Sequence, residues 1–480
     1  MNIFDVFVAK VVSKLPFTPN ETQLHTLSLL ADFLLSPTHA QRVFVLRGYA
    51  GTGKTSLISA VVQAMKEGQM KSCLMAPTGR AAKVFSAMSG SIALTIHKCI
   101  YRQERFDAEP ERFDLMDNLH RQTLFICDEA SMISTLNDQS PFGTGNLLDD
   151  LIEYVYAGVS CRLLLVGDDA QLPPVGQKQS PALSVSRLRG YGLEVITATL
   201  TEVARQQLDS GILWNATELR RLMSTGIIDS LPRLRTLGFP DVRCVYGHDL
   251  IDTLSDSYHR QGVDDTIIIT RSNARANRFN IGVRNLILDY DEELSGGDRL
   301  LIVRNNYFWC RDIEGLPFLA NGDTMQIRRI RNVHELYGFR FAEASITLPD
   351  YDHDAEVMLL LDTLQSEGPS LSAEDQSRLF WSVMEDYADI PSKRERLKAV
   401  RNDRHYNALQ VKYAYAVTCH KSQGGQWSDV YLDLSYINPE HTGIEFYRWL
   451  YTALTRAREH LFLVNIGRDM LEEGEAIDLD

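Results

Sequence analysis

The 480-residue chain has no cysteines spaced as C-x-x-C; its seven stand apart at positions 73, 99, 127, 161, 244, 310 and 419. That scatter excludes a zinc ribbon and a disulfide framework and suits a reducing compartment, so the expected location is cytoplasmic. Nor is there an apolar run approaching the roughly 20 residues of a bilayer-spanning helix, and no membrane partner is expected. Repeats and low-complexity tracts are also lacking, which excludes a solenoid or a disordered scaffold. Positive charge is scarce: 49 lysines and arginines face 63 carboxylates, a net charge of −14. Such a balance argues against binding nucleic acid through overall charge, although a large protein can still line one groove with cations. Basic clusters do occur at 271–284, 328–331 and 393–404.

What the chain does have is Gly48-Tyr49-Ala50-Gly51-Thr52-Gly53-Lys54-Thr55, the G-x-x-x-x-G-K-T pattern of a P-loop. A β-branched run, Arg42 to Leu46, precedes it, and apolar residues at helical spacing follow from Ser56 to Met65. Glycines let the backbone fold into a nest of inward N–H groups, and the positive end of the following helix reinforces it. Lys54 is placed to reach the β- and γ-phosphates and the Thr55 hydroxyl to bind Mg²⁺. The site is therefore expected to hold a nucleoside triphosphate.

Further buried-strand runs at 72–76, 124–127 and 163–166 give an α/β pattern with a parallel sheet. A second α/β pattern starts at Thr266-Ile267-Ile268-Ile269 and resumes at 413–417, 430–434 and 461–464, without a P-loop. Short strands at 300–303, 324–327 and 344–347 suggest a small β-barrel inserted between the two parts. Residues 373–402 read as one or two helices broken at Ile390-Pro391. Asp128-Glu129 ends a strand beside the P-loop strand, the place for an Mg²⁺ carboxylate (Asp128) and a water-activating base (Glu129). Gly167-Asp168-Asp169-Ala170-Gln171-Leu172-Pro173-Pro174 ends the next strand; Gln171 is an uncharged group suited to sensing the γ-phosphate.

Eight stretches occur in order: GYAGTGKT, APTGRAA, TIH, CDEAS, GDDAQLPPVG, VARQ, TCHKSQG and YTALTRAR. Together they resemble the motifs of superfamily 1 helicases, on the 5′→3′ branch of RecD-like and phage Dda-like enzymes, from about Thr18 to Val464. The resemblance implies two RecA-like domains, a β-hairpin pin in the first and an SH3-like barrel in the second. The implied boundaries are 1–205 for the first domain (pin 98–122), 206–297 and 411–480 for the second, and 298–410 for the barrel with its helical extension.

Carried over residue by residue, Gln23 would read adenine, and Gly48, Ala50, Gly51, Thr52, Gly53, Lys54, Thr55 and Ser56 would cradle ATP. Arg205 and Arg456 would enclose the γ-phosphate, joining Lys54, Glu129 and Gln171 in catalysis. DNA contacts are implied for Pro77, Thr78, Gly79, Arg80, Thr95, His97, Thr418, His420 and Lys421. Gln423-Gly424-Gly425-Gln426 replaces the family's Gln-Gly-Ser-Glu; Gly424 and Gln426 would still face the nucleotide, Gln426 accepting a ribose hydroxyl. Between Lys98 and Gln122, Phe106 or Phe113 would stack on a base. The expected activity is an ATP- and Mg²⁺-dependent helicase acting on single-stranded and 5′-tailed duplex DNA. It is expected to be monomeric, with accessory replication or recombination proteins as candidate partners. Two other readings share the P-loop: a motor subunit of a recombination or defence nuclease, and a DNA-binding nucleotide switch that does not unwind.

Overall fold

The computed structural model describes residues 2–37, 40–103, 113–135, 142–202, 209–226, 228, 230–311, 313, 316, 318–437 and 443–472. Two helices, α1 (Ile3–Val12) and α2 (Glu21–Leu35), lead into the first sheet. Its strands are β1 (Arg42–Gly48), β2 (Lys71–Ala76), β3 (Ala93–Thr95), β6 (Thr123–Cys127), β7 (Arg162–Gly167) and β8 (Glu194–Leu200). Between them run α3 (Lys54–Glu67), α4 (Gly79–Ser89), α5 (Ile96–Ile100), α6 (Leu147–Ala157) and α7 (Val185–Gly190). The short antiparallel hairpin β4 (Tyr101–Gln103) and β5 (Phe113–Leu115) projects from α5. The sheet is parallel, in the order β3-β2-β6-β7-β1-β8. The loops after β1, β6 and β7 therefore meet at one edge of the sheet, where ligands bind in open α/β folds. Helices cover both faces, so central strands such as β6 are buried at every position.

The second domain holds α8 (Gly211–Thr225), β9 (Val242–Val245), α9 (Leu250–Gln261), β10 (Thr266–Thr270) and α10 (Asn273–Leu286). The chain then leaves to build a closed barrel from β11 (Arg299–Ile302), β12 (Thr324–Leu336), β13 (Phe339–Leu348), β14 (His353–Leu360) and β15 (Leu409–Tyr413). Helices α11 (Ala373–Asp386) and α12 (Lys393–Arg401) sit between β14 and β15 and pack on the barrel through Leu379, Val383, Val400, Phe339 and Phe341. On return come β16 (Ala416–Thr418), α13 (Cys419–Ser422), β17 (Trp427–Asp433), α14 (Ile444–Leu454) and β18 (Ala457–Val464). They complete a parallel sheet in the order β16-β10-β17-β18-β9.

One expectation needs correction here. Residues 413–417 do not form a single strand of the second domain: β15 closes the barrel through Tyr413, and β16 starts the sheet at Ala416. The break is fixed by Tyr415, whose hydroxyl donates to Asp298 at 2.9 Å. Asp298 also accepts two 2.9 Å bonds from Arg284 of α10, all three groups being buried. Both chain crossings into the barrel are thus tied to α10. Removing one partner of such a buried pair typically costs about 3–5 kcal/mol.

Candidate functional site

The P-loop turns sharply after β1. Gly53 takes φ +79°, and a Cβ there would lie 3.2 Å from both Gln23 Nε2 and the Phe17 ring. Lys54 begins α3 and donates from Nζ to the carbonyls of Gly48 at 2.5 Å and Tyr49 at 2.9 Å. Thr55 Oγ1 stands 3.5 Å from Asp128 Oδ2. Burial, reinforced by the adjacent Glu129 charge, pushes the Asp128 carboxyl up to about 7. Its neighbour Glu129 holds φ 51° and ψ 35°, a left-handed conformation costing a non-glycine residue on the order of 1–2 kcal/mol. Gln171 is buried with its amide oxygen unpartnered among the described atoms.

These residues line a cleft of about 510 Å³ whose far wall belongs to the second domain: Gly424, Gln426, Thr455, Arg456 and Arg458. Arg456 is buried; its Nε donates to Thr452 O at 3.0 Å and its Nη1 to Gly425 O at 3.3 Å. Tyr451 of α14 lies between the domains, accepting from Ala50 N–H at 2.9 Å and donating to Asp168 at 2.6 Å. Gln23 abuts the P-loop as expected, yet its amide is engaged: Nε2 donates to Thr52 O, and Oε1 accepts from Asn20 N–H in the cap of α2. Ser56 lines the cleft; the buried Thr52 hydroxyl donates to Tyr49 O.

A second groove, of about 1200 Å³, runs between the two α/β domains and the barrel. Its lining includes the cations Arg80, Lys83, Arg271, Arg299 and Lys421 against the carboxylates Asp264, Asp350 and Glu367. Lys83 pairs with Asp350 and Arg299 with Asp264, which leaves Arg80, Arg271 and Lys421, among the described residues, as the cations not paired with a lining carboxylate. Thr78, Thr418 and His420 line it too. Arg80 stacks 3.9 Å over Trp427, which fixes its direction across the domain boundary. Burial pushes Lys421 down to about 8 and lowers His420 as well. The 271–284 cluster divides: Arg271 faces the groove, whereas Arg275 pairs with Asp433 and Arg284 with Asp298.

Thr95 and His97 are not among the groove-lining residues. Thr95 caps α5 by accepting from Lys98 N–H at 3.3 Å. His97 packs edge-on to Phe142 at 4.7 Å and Phe318 at 6.4 Å, and burial pushes it down to about 4, so it is neutral. Phe113 belongs to the same cluster, 4.6 Å from Tyr307 and 4.7 Å from Phe142. At 2 % exposure it cannot stack on a base, which corrects that expectation; its size and apolarity are used to anchor the hairpin. Tyr307 and Phe318 come from the barrel segment, so the hairpin root is clamped between domains. The barrel reaches the APTGRAA segment as well, since a Cβ on Gly79 would lie 2.9 Å from Asp323 and Tyr351. Pro77 precedes that turn without being a groove-lining residue. Arg205, with all of 203–208, and Phe106 lie outside the described residues.

The description "AAA domain" matches residues 34–231, and "UvrD-like helicase C-terminal domain" matches residues 413–464. The ATP-dependent RecD2 DNA helicase of Deinococcus radiodurans is 31 % identical over 89 % of this chain; the chain spans 48 % of that relative's length. The chain is thus similar to superfamily 1 helicases of the RecD-like and Dda-like branch. The ATP-dependent DNA helicase Dda of Enterobacteria phage T4 is 23 % identical, over 80 % of this chain and 79 % of its own length. Among solved structures, Pif1 helicase from Bacteroides with ADP-AlF3 and ssDNA aligns over 95 % of each chain at 16 % identity, TM-score 0.46.

Motif reading missed Phe17 and Tyr49 in the cleft, Tyr451 between the domains and Trp427 in the groove. Tyr451 lies inside the YTALTRAR stretch that was read for its arginine alone. Phe17, just ahead of the start of the match at Thr18, carried no signal except its nearness to Gln23.

Proposed function

We propose that the chain is an ATP- and Mg²⁺-dependent DNA helicase that moves 5′→3′ along single-stranded DNA and separates duplex ahead of it. The observation that carries this reading is the shared cleft. P-loop and carboxylate residues come from one domain and Arg456 from the other, while the basic groove spans the same two domains. A group that reaches the phosphates from the opposite domain makes hydrolysis depend on cleft closure, and closure shifts the groove walls. The 5′→3′ sense is supported by the resemblance to the RecD-like and Dda-like branch.

Thr55 and Asp128 fit Mg²⁺: one hydroxyl and one carboxylate 3.5 Å apart leave the remaining positions to water and phosphate oxygens, as that ion prefers. Bound there, the ion would neutralise charge on the β- and γ-phosphates. Glu129 is placed to take a proton from attacking water, and Gln171 offers an unpaired amide oxygen to orient it. Lys54 and Arg456 supply positive charge from two sides, Lys54 by leaving the two carbonyls it now holds. Gln23 would read adenine by exchanging its Thr52 bond for the base. In the groove, Thr78, Arg80, Thr418, His420 and Lys421 offer small polar or cationic groups suited to phosphates, which hold any sequence equally.

Strand displacement on a 5′-tailed duplex, run beside a 3′-tailed one with ATP and Mg²⁺, tests the proposal. Displacement of the 5′-tailed substrate alone is expected; displacement of neither, or only of the 3′-tailed one, refutes it.

A further inference from the structure

One hydroxyl joins three functional segments. A tyrosine oxygen has one proton to give and two lone pairs to offer. Tyr451 uses both capacities: it accepts from the Ala50 N–H of the P-loop and donates to Asp168 Oδ2. Its ring is buried at 1 % exposure. Burial and the Asp168 charge hold its proton well above the usual tyrosine range, so it remains a neutral donor. The neighbouring Thr452 hydroxyl accepts from Leu172 N–H at 2.8 Å, and Gln423 Nε2 donates to Leu172 O at 2.8 Å. Helix α14 therefore grips both the P-loop and the Asp168–Leu172 loop. Arg456 follows that helix directly and is itself bonded to Thr452 O.

Ala50 is the third residue of G-x-x-x-x-G-K-T, a loop whose backbone N–H groups hold phosphate, and it lines the cleft. A phosphate oxygen and the Tyr451 hydroxyl cannot both take its one N–H proton at full strength. We infer that Tyr451 is a positioning residue: phosphate entering the P-loop must draw the Ala50 N–H from it, and the released hydroxyl lets α14 shift and carry Arg456 toward the cleft. The inference rests on the ATPase reading above and deepens it, by naming the contact through which phosphate binding reaches Arg456.

The sign of one measurement separates this from a merely structural role. Tyr451→Phe keeps the ring and removes the competitor. A non-hydrolysable ATP analogue, titrated calorimetrically with Mg²⁺ and without DNA, should then bind about two- to tenfold more tightly, the range expected for one net hydrogen bond. The kcat for ATP on oligo-dT should rise about two- to tenfold in the same variant, because no bond to Ala50 holds α14 and Arg456 back. Unchanged or weakened analogue binding, or a kcat that is unchanged or falls, overturns the inference. Should the variant fail to fold, hydrogen exchange on the wild-type protein decides instead: the analogue must alter protection in 444–456, and no change there overturns the idea. A wild-type protein that binds no analogue overturns both this inference and the ATPase reading; an active wild type with an indifferent Phe variant overturns only this one.

Discussion

Lys54 bonds two carbonyls of its own loop, so its charge is already aimed at the centre of the nest. Lys54→Ala is expected to abolish DNA-stimulated ATPase and unwinding together while leaving the thermal melt intact; wild-type ATPase in the variant would remove the site assignment. In the proposed role, Arg456 would act on developing charge more than on ground-state ATP. Arg456→Ala should bind ATP almost normally yet hydrolyse it about 10³–10⁵-fold more slowly. Equilibrium binding beside steady-state turnover checks this, and lost affinity with unchanged kcat would contradict it. Lys421 gives a pH signature. Below its lowered value of about 8 the amine is charged and attracts phosphate; above it the charge is lost. Affinity for oligo-dT should therefore fall between pH 7 and pH 9, across which His420, lowered by burial, stays neutral. Lys412, also pushed down to about 8, titrates in the same window but bonds Thr363 O and Ser366 rather than lining the groove. Lys421→Arg should flatten the profile, since a guanidinium keeps its charge throughout; a profile equally steep in that variant would assign the effect elsewhere. That Lys54, Thr55, Asp128 and Arg456 share one cleft was legible in the sequence because each sits in a short motif of fixed spacing. The Gln23 bond to Thr52 and the burial of Phe113 were not, because their partners lie tens to hundreds of residues away.

At the scale of elements, the hairpin β4–β5 is held at its root. Tyr101 donates to Asp150 at 2.6 Å, and Phe113 stacks with Phe142 and Tyr307. A root clamped by both domains can resist the force of a junction, which a free loop cannot. Replacing 104–112 by a short Gly-Ser turn, with Phe113 retained, should leave DNA-stimulated ATPase intact. Unwinding of a 5′-tailed duplex should drop at least about tenfold, a barrier change of about 1.4 kcal/mol. Single-turnover unwinding and steady-state ATPase on one preparation settle the matter; undiminished unwinding would move the strand splitter to the barrel. Which elements could be read in advance follows from burial. β6, β7 and β10 are continuous apolar runs because both faces are covered. β8 alternates toward solvent, β9 is four residues long and β14 starts polar, so none of them stood out. Tyr413 to Val417 read as one strand because all five are apolar; only the distant Asp298 shows why the chain must turn there.

Over the whole molecule, net charge and groove charge have opposite signs, and salt should expose the difference. Binding through a few groove cations should give a slope of log K against log[salt] of about −0.7 per phosphate neutralised. Affinity should vary little among mixed sequences of equal length; a flat salt response, or strong preference for one short sequence, would exclude the groove as the binding surface. The placement of the barrel also has a consequence for the order in which the protein is made. Strand β10, complete at Thr270, lies inside a sheet whose other inner strands, β17 and β18, end only at Asp433 and Val464. At typical rates of about 5–20 residues per second, a ribosome needs about 10–40 s to travel from β10 to the end of β18. Through that interval the first domain has every strand it needs, and the barrel can close once Tyr413 has emerged. The Ile267-Ile268-Ile269 run meanwhile waits for its neighbours β16 and β17, which end at Thr418 and Asp433, and until then it is open to capture by a chaperone or by a second nascent copy.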